Sequence, residues 1–207
     1  MIKVHHLNNS RSQRILWLLE ELQLPYEIIK YQRDAETNLA PPELKAIHPL
    51  GKSPVINDGD QVIAESGAII EILTRKYGKD KLSPAEGTPA HDRYIEWLHF
   101  AEGSAMLPLM LALYTSRLGD AAAPLGPRIM SEIDNHFSYM NNLVEKGGYL
   151  TGPEFSAADI QNSFTLEAGK MRGFLANYPN LLDLLTRLQA RPAYKTALEK
   201  GGPYAFA

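Results

Sequence analysis

In the stretch LNNSRSQRILWLLEEL, Leu7 to Leu22, two serines stand immediately before a strongly apolar helical pattern. Ser10 and Gln13 spell S-x-x-Q, the pattern of a capping box in which a hydroxyl satisfies the first free amides of a helix. The same hydroxyl has a second use. A helix N-terminus presents unpaired N–H groups with partial positive charge, so an O–H donor beside it can hold an anion. Ser10 is therefore either a cap or a donor aimed at a substrate, with Asn9 and Ser12 as neighbouring alternatives. The chain contains no cysteine, so thiol chemistry here must use a thiol brought in from outside.

Spacing sets other chemistries aside. Gly51, Lys52 and Ser53 look like the end of a phosphate-binding loop, but that loop needs a glycine where Ala46 stands, and Pro54 follows instead of a helix. The six histidines are scattered without H-E-x-x-H, and His5 and His6 alternate on a strand, so no metal site is expected. No G-x-S-x-G elbow offers the usual scaffold of a serine hydrolase. A net charge of -3 without a Lys/Arg cluster argues against a nucleic-acid partner. The longest apolar stretch, near MLPLMLALY, is too short to span a bilayer, and MIKVHH does not read as a signal peptide. A soluble, cytoplasmic protein with no membrane partner is expected.

The elements that must position Ser10 follow from periodicity. With 207 residues, 44% of them hydrophobic, the chain can build one large domain or two small ones. IKVHHL reads as a strand, Ile15, Leu16, Leu19 and Leu22 as one face of a helix, and YEIIKY after Pro25 as a second strand. PPELKAI reads as a short helix, PVIND and QVIAES as a hairpin around Asp58-Gly59, and SGAIIEILTRKYG as a helix closed near Gly78. The order βαβαββα implies a four-stranded mixed sheet over residues 1–78. Pro84, Gly87 and Pro89 interrupt periodicity in a linker, 79–89, and residues 90–207 show only helical patterns. In FSAADI, Ser156 and Asp159 form S-x-x-D with Phe155 and Ile160 placed as a hydrophobic staple, which is a folding signal. Pro108 is expected to kink the long helix that contains it.

NNSRSQRILWLLEEL, HPLGKSPVI, AESGAIIEIL, WLHFAEG and FSAADI, in this order and at these separations, together resemble a cytosolic glutathione transferase of the serine type, over essentially the whole chain. The resemblance implies an α/β, thioredoxin-like N-terminal domain that binds glutathione as co-substrate. It also implies an all-α helical-bundle domain that contributes the pocket for small apolar electrophiles, and a homodimer with a detoxifying role. Free thiols have a pKa near 8.5 and must ionise to attack; lowering this by roughly two units takes about 2.7 kcal/mol of preferential thiolate stabilisation. A hydroxyl donor and a helix terminus together reach that size, which gives Ser10 the catalytic role. The family pattern makes Pro54 cis, so that Ser53 presents its backbone to the cysteinyl part of glutathione. Ser53 stands where the family more often has an aliphatic residue, a difference a backbone contact tolerates. Lys52 would hold the glycyl carboxylate, while Ser66 at its helix terminus receives the γ-glutamyl carboxylate and Glu65 pairs with the ammonium. Met106, Met110 and Tyr114, four apart on a helix, are the candidate electrophile-binding residues, a stripe that could equally be core. Two alternatives remain open: a peroxidase, disulfide reductase or isomerase using the same bound thiol, or a non-catalytic carrier.

Overall fold

A computed structural model describes residues 1–79 and 81–207; Asp80, within the expected linker, lies outside the described residues. The chain divides into two compact units, Met1–Ser83 with Gln189–Ala207, and Pro84–Leu188.

In the first unit β1 (Ile2–Leu7), α1 (Ser12–Glu21) and β2 (Tyr26–Tyr31) form the βαβ arrangement, and β1 pairs with β2 in parallel from Ile2↔Tyr26 to Leu7↔Tyr31. The four-residue α2 (Leu44–Ile47) precedes β3 (Val55–Asp58) and β4 (Gln61–Ala64), an antiparallel hairpin turned at Gly59, whose φ of 61° a glycine adopts without a Cβ clash. The strand order is β2-β1-β3-β4, and α3 (Ser66–Tyr77) closes the expected βαβαββα series. Central β1 is buried along nearly its whole length, and Ser12 to Leu19 of α1 are all buried. Continuous burial over two turns is more than one amphipathic face can provide. The extra cover comes from α9 (Pro192–Gly201), at the far end of the chain: Tyr194 meets Trp17 edge-on with ring centroids 5.1 Å apart, and Arg191 pairs with Glu21 at 2.6 Å. Residues 189–207 thus pack with the first unit, although periodicity alone groups them with the other helices in 90–207.

The second unit is helical: α4 (Pro89–Phe100), α5 (Met106–Thr115), α6 (Gly126–Leu143), α7 (Ala157–Met171) and α8 (Pro179–Ala190), the last ending at its border. Between α4 and α5 the chain makes a π-helical turn, Ala101–Ala105. Pro108 cannot donate to the carbonyl four residues before it, and the widened turn lies at the level of that missing bond. Helix α7 is buried from Ala157 to Gly169 and starts with a closed capping box, in which Ser156 N–H donates to Asp159 at 2.9 Å and Leu150 N–H to the same carboxylate at 2.9 Å.

Candidate active site

At one end of the sheet β1 runs into α1, β3 begins opposite His5, and β4 leads into α3. Ser10 lies there, in the turn before α1, only 4% exposed. Its hydroxyl oxygen accepts the Ser12 N–H at 3.2 Å and lies 2.7 Å from the Ser12 hydroxyl. The S-x-x-Q box does not close: the Gln13 backbone N–H donates to the Ser10 backbone carbonyl at 3.2 Å instead of to its hydroxyl, and the buried Gln13 Nε2 has no hydrogen-bond partner among the described residues. The turn is one residue tighter than the box requires, so Ser10 caps Ser12.

The two alternatives to Ser10 are otherwise engaged. Asn9 adopts the left-handed φ of 50°, and its Oδ1 accepts the Ala205 N–H at 2.8 Å. Ser12 is fully buried, with its hydroxyl 2.8 Å from His6 Nδ1 and 3.3 Å from the Leu7 carbonyl. Burial, seconded by the positive charge of Lys30, lowers the His6 pKa to about 4, against an opposing hydrogen bond to the Gly201 backbone. The imidazole is neutral at physiological pH. His5, on the opposite face as strand alternation requires, bonds Tyr31 at 2.9 Å and Asn57 at 2.7 Å.

Ser53-Pro54 is a cis peptide. Pro54 has no N–H to extend the ladder beyond Val55, and the Ser53 side chain bonds the neighbouring strand in its place. Its hydroxyl donates to the His5 carbonyl at 2.8 Å and accepts the Leu7 N–H at 3.3 Å. A serine at this position therefore has a structural reason, and it locks the loop to the strand that delivers Ser10. Lys52 beside it is exposed.

Glu65 is exposed and holds φ 69°, ψ 115°, a sparsely populated region for a residue with a Cβ; its carbonyl starts α3 by accepting Ile69 N–H at 2.9 Å. Ser66, buried at the first position of α3, accepts a hydrogen bond at 3.2 Å from Nη1 of Arg14, itself almost wholly buried in α1. Arg14 and His6 are the residues that sequence reasoning missed. The available signals were an arginine in the first turn of the helix that follows Ser10, and a histidine at an inward-facing strand position. Thus Ser10, Ser53 and Ser66 are linked through β1 and α1 into one framework.

The second unit separates the other candidates: Met106 is buried, Met110 half-buried and Tyr114 57% exposed. Among the described residues, no group of His, Asp or Glu is arranged to hold a metal ion, and no helix is long and apolar enough to cross a membrane.

Residues 1–75 match the family model "Glutathione S-transferase, N-terminal domain", and 111–201 match "Glutathione S-transferase, C-terminal domain". The chain is 34% identical to Glutathione S-transferase 1 of Saccharomyces cerevisiae over 97% of its own length and 95% of the yeast protein's. It is 35% identical to Glutathione S-transferase 3 of Schizosaccharomyces pombe, over 97% and 88% of the two chains. The crystal structure of a glutathione S-transferase from Actinobacillus pleuropneumoniae superposes with a TM-score of 0.92 at 38% identity, covering 100% of this chain and 95% of that one. A glutathione transferase family member from Pseudomonas fluorescens, solved with two glutathione molecules bound, gives a TM-score of 0.79 at 27% identity over 96% and 92% of the chains. With both family models matched and full-length relatives above 30% identity, the buried serine turn, the cis Ser53-Pro54 loop and the Glu65-Ser66 helix start are those of a protein that belongs to the glutathione S-transferase family.

Proposed function

We propose that this transferase binds glutathione at the end of its sheet, keeps the ligand sulfur ionised beside Ser10, and directs it at small apolar electrophiles by substitution or addition. The observation that carries this reading is the Ser10 hydroxyl, buried at the entrance to α1 and left out of a capping box. An O–H donor at a helix N-terminus favours the charged form of a bound thiol over the neutral one, because only the anion is a strong acceptor. Catalysis is then thiolate supply together with proximity.

In this assignment Lys52 takes the glycyl carboxylate, the backbone of Ser53 before Pro54 pairs with the cysteinyl part, and Glu65 and Ser66 take the two charges of the γ-glutamyl group. The framework bonds of Ser53 and Ser66 support it, since they hold both segments against the elements that carry Ser10. Met106, Met110 and Tyr114 are proposed as apolar contacts for the electrophile, Met being suited to varied substrates. Residues 1–78 as glutathione domain, 79–89 as linker and 90–207 as source of the electrophile pocket complete the proposal. The protein acts in the cytoplasm as a homodimer and removes reactive electrophiles.

The test is a spectroscopic titration of enzyme-bound glutathione together with turnover of a simple aryl halide. Ser10→Ala is expected to return the thiol toward its free-solution acidity and to lower kcat/KM at neutral pH by roughly 30- to 100-fold, the equivalent of about 2–2.7 kcal/mol. Unchanged acidity and turnover would falsify the reading. A second reading, disulfide or hydroperoxide reduction, is favoured by the two glutathione molecules in the Pseudomonas fluorescens relative, since disulfide exchange brings two thiol ligands together. Turnover of a mixed disulfide and of a hydroperoxide beside the aryl halide separates the two.

A further inference from the structure

Behind Ser10 a file of buried polar groups continues farther than activation by one hydroxyl requires. Ser10 Oγ is 2.7 Å from Ser12 Oγ, and Ser12 Oγ is 2.8 Å from His6 Nδ1. The other ring nitrogen faces α9, where a Cβ built on Gly201 would stand 3.4 Å from Nε2. Contact with the Gly201 backbone raises the His6 pKa, as a bond donated by the ring to a carbonyl does, and Nε2 is the ring nitrogen beside Gly201, so we assign the proton of the neutral ring to Nε2. Nδ1 is then a lone-pair acceptor at 2.8 Å, and the single Ser12 proton goes to it in preference to the Leu7 carbonyl, which lies farther off at 3.3 Å. The Ser12 oxygen is left facing Ser10 as an acceptor, and one Ser10 lone pair is taken by the Ser12 N–H at 3.2 Å. Each step leaves the next group one role, and the Ser10 hydroxyl ends as a donor.

His6 as a base for the thiol fails on magnitude. A ring held near 4 is a far weaker proton acceptor than a thiolate whose conjugate acid lies near 8.5, by roughly four powers of ten. The ring contributes by staying neutral.

We propose that Ser12 and His6 are positioning residues that hold the side-chain rotamer of Ser10 and leave its hydroxyl no role toward an incoming sulfur but that of a donor. This rests on Ser10 acting on the sulfur, as above. In the resting site the Ser10 proton lies on Ser12 Oγ, a neutral acceptor. A thiolate displaces it because a charge-assisted bond is roughly twice as strong, whereas a neutral thiol is a weak acceptor and does not. Giving up the bond to Ser12 offsets part of the gain, but the Ser10 side chain is already held in place by that contact, so only the proton turns and no rotamer freedom of the side chain is lost when the bond to ionised sulfur forms.

The test measures the thiolate absorbance of bound glutathione against pH, and the pH dependence of kcat/KM with an aryl halide. Its proteins are wild type, Ser12→Ala, His6→Phe, His6→Asn, Ser10→Ala and the double variant Ser10→Ala/Ser12→Ala. Ser12→Ala and His6→Phe are expected to raise the acidity midpoint of the bound thiol by about one pH unit and to lower kcat/KM at neutral pH roughly tenfold. His6→Asn, which keeps an acceptor near the Nδ1 position, is expected to restore most of both. In the Ser10→Ala background Ser12→Ala is expected to add nothing, since it acts through the missing hydroxyl. A midpoint that is unchanged or lowered in Ser12→Ala while Ser10→Ala raises it, or effects that add in the double variant, overturns this inference alone. A wild-type titration in Ser10→Ala overturns the parent reading and this inference with it.

Discussion

Ser10, Ser53 and Glu65 each depart from the commonest arrangement at their position, and in each case the departure serves a neighbouring group. Glu65 is the one whose backbone bears strain, since φ 69° with a Cβ costs on the order of 1–3 kcal/mol. Glu65→Gly is expected to stabilise the fold by about 1 kcal/mol, the strain relief exceeding the roughly 0.5–1 kcal/mol entropy cost of glycine. The same change should raise the KM for glutathione, because in the proposed assignment the ligand's ammonium loses its carboxylate. Urea denaturation and steady-state kinetics check the two halves, and a parallel loss of stability would count against strain at this residue. His6 sets an acid limit. Its folded pKa of about 4 lies below the ordinary histidine value of 6.5, so between these values the unfolded chain binds the proton and the folded one does not. Stability is therefore fully present above pH 6.5 and declines as pH falls toward 4, by roughly 3 kcal/mol in all. His6→Asn should flatten this part of a stability-versus-pH curve measured by urea titration.

At the scale of elements, α1 is caught between the sheet and α9. A Cβ at Gly201 would lie 2.7 Å from Gln13 Oε1 and 3.1 Å from Leu16 Cδ1, both in side chains too buried to swing aside. Alanine in a helix is normally favoured over glycine by about 1 kcal/mol; at this contact Gly201→Ala is expected instead to destabilise by about 1–2 kcal/mol, measured by thermal or urea unfolding. The beginning of α7 is held by another local device. The box between Ser156 and Asp159 satisfies amides at the start of a helix buried from Ala157 to Gly169, where water cannot replace them. Ser156→Ala should cost about 1–2 kcal/mol of stability and leave the acidity of bound glutathione unchanged, a contrast with Ser12→Ala that separates folding hydroxyls from positioning ones.

For the molecule as a whole, the discontinuity of the first unit has a consequence for folding. Tyr194 and Ala197 of α9 are buried within it, and Arg191 pairs with Glu21 and Lys200 with Glu20 across the same contact. A fragment ending at Ser83 lacks this cover and leaves Trp17 and its neighbours in water, so it is expected to bind a hydrophobic dye and to unfold without a cooperative transition. Joining residues 189–207 to it through a flexible linker should restore cooperativity, as judged by near-ultraviolet circular dichroism. The proposed homodimer is checked at this scale by light scattering, where a mass twice the 23.1 kDa of the chain is expected.

Local features were legible from the residues alone: the alternation of β1, the Asp58-Gly59 hairpin, the S-x-x-D start of α7 and the serine turn before α1 each depend on neighbours a few positions away. The order of elements likewise followed from their periods, and the family from the ordered set of short segments that surround Ser10, Pro54 and Ser66. Three things were decided only by tertiary packing. Arg14 and His6 became part of the site because Ser66 and Gly201, far from them in sequence, came within hydrogen-bonding reach. Helix α9 joined the first unit because α1 is apolar on more sides than the sheet can cover, a demand with no local signature in residues 192–201. The capping box at Ser10 failed to close because the turn tightened by one residue, which left its hydroxyl to a chain of donors and acceptors whose direction depends on groups contributed by three separate elements.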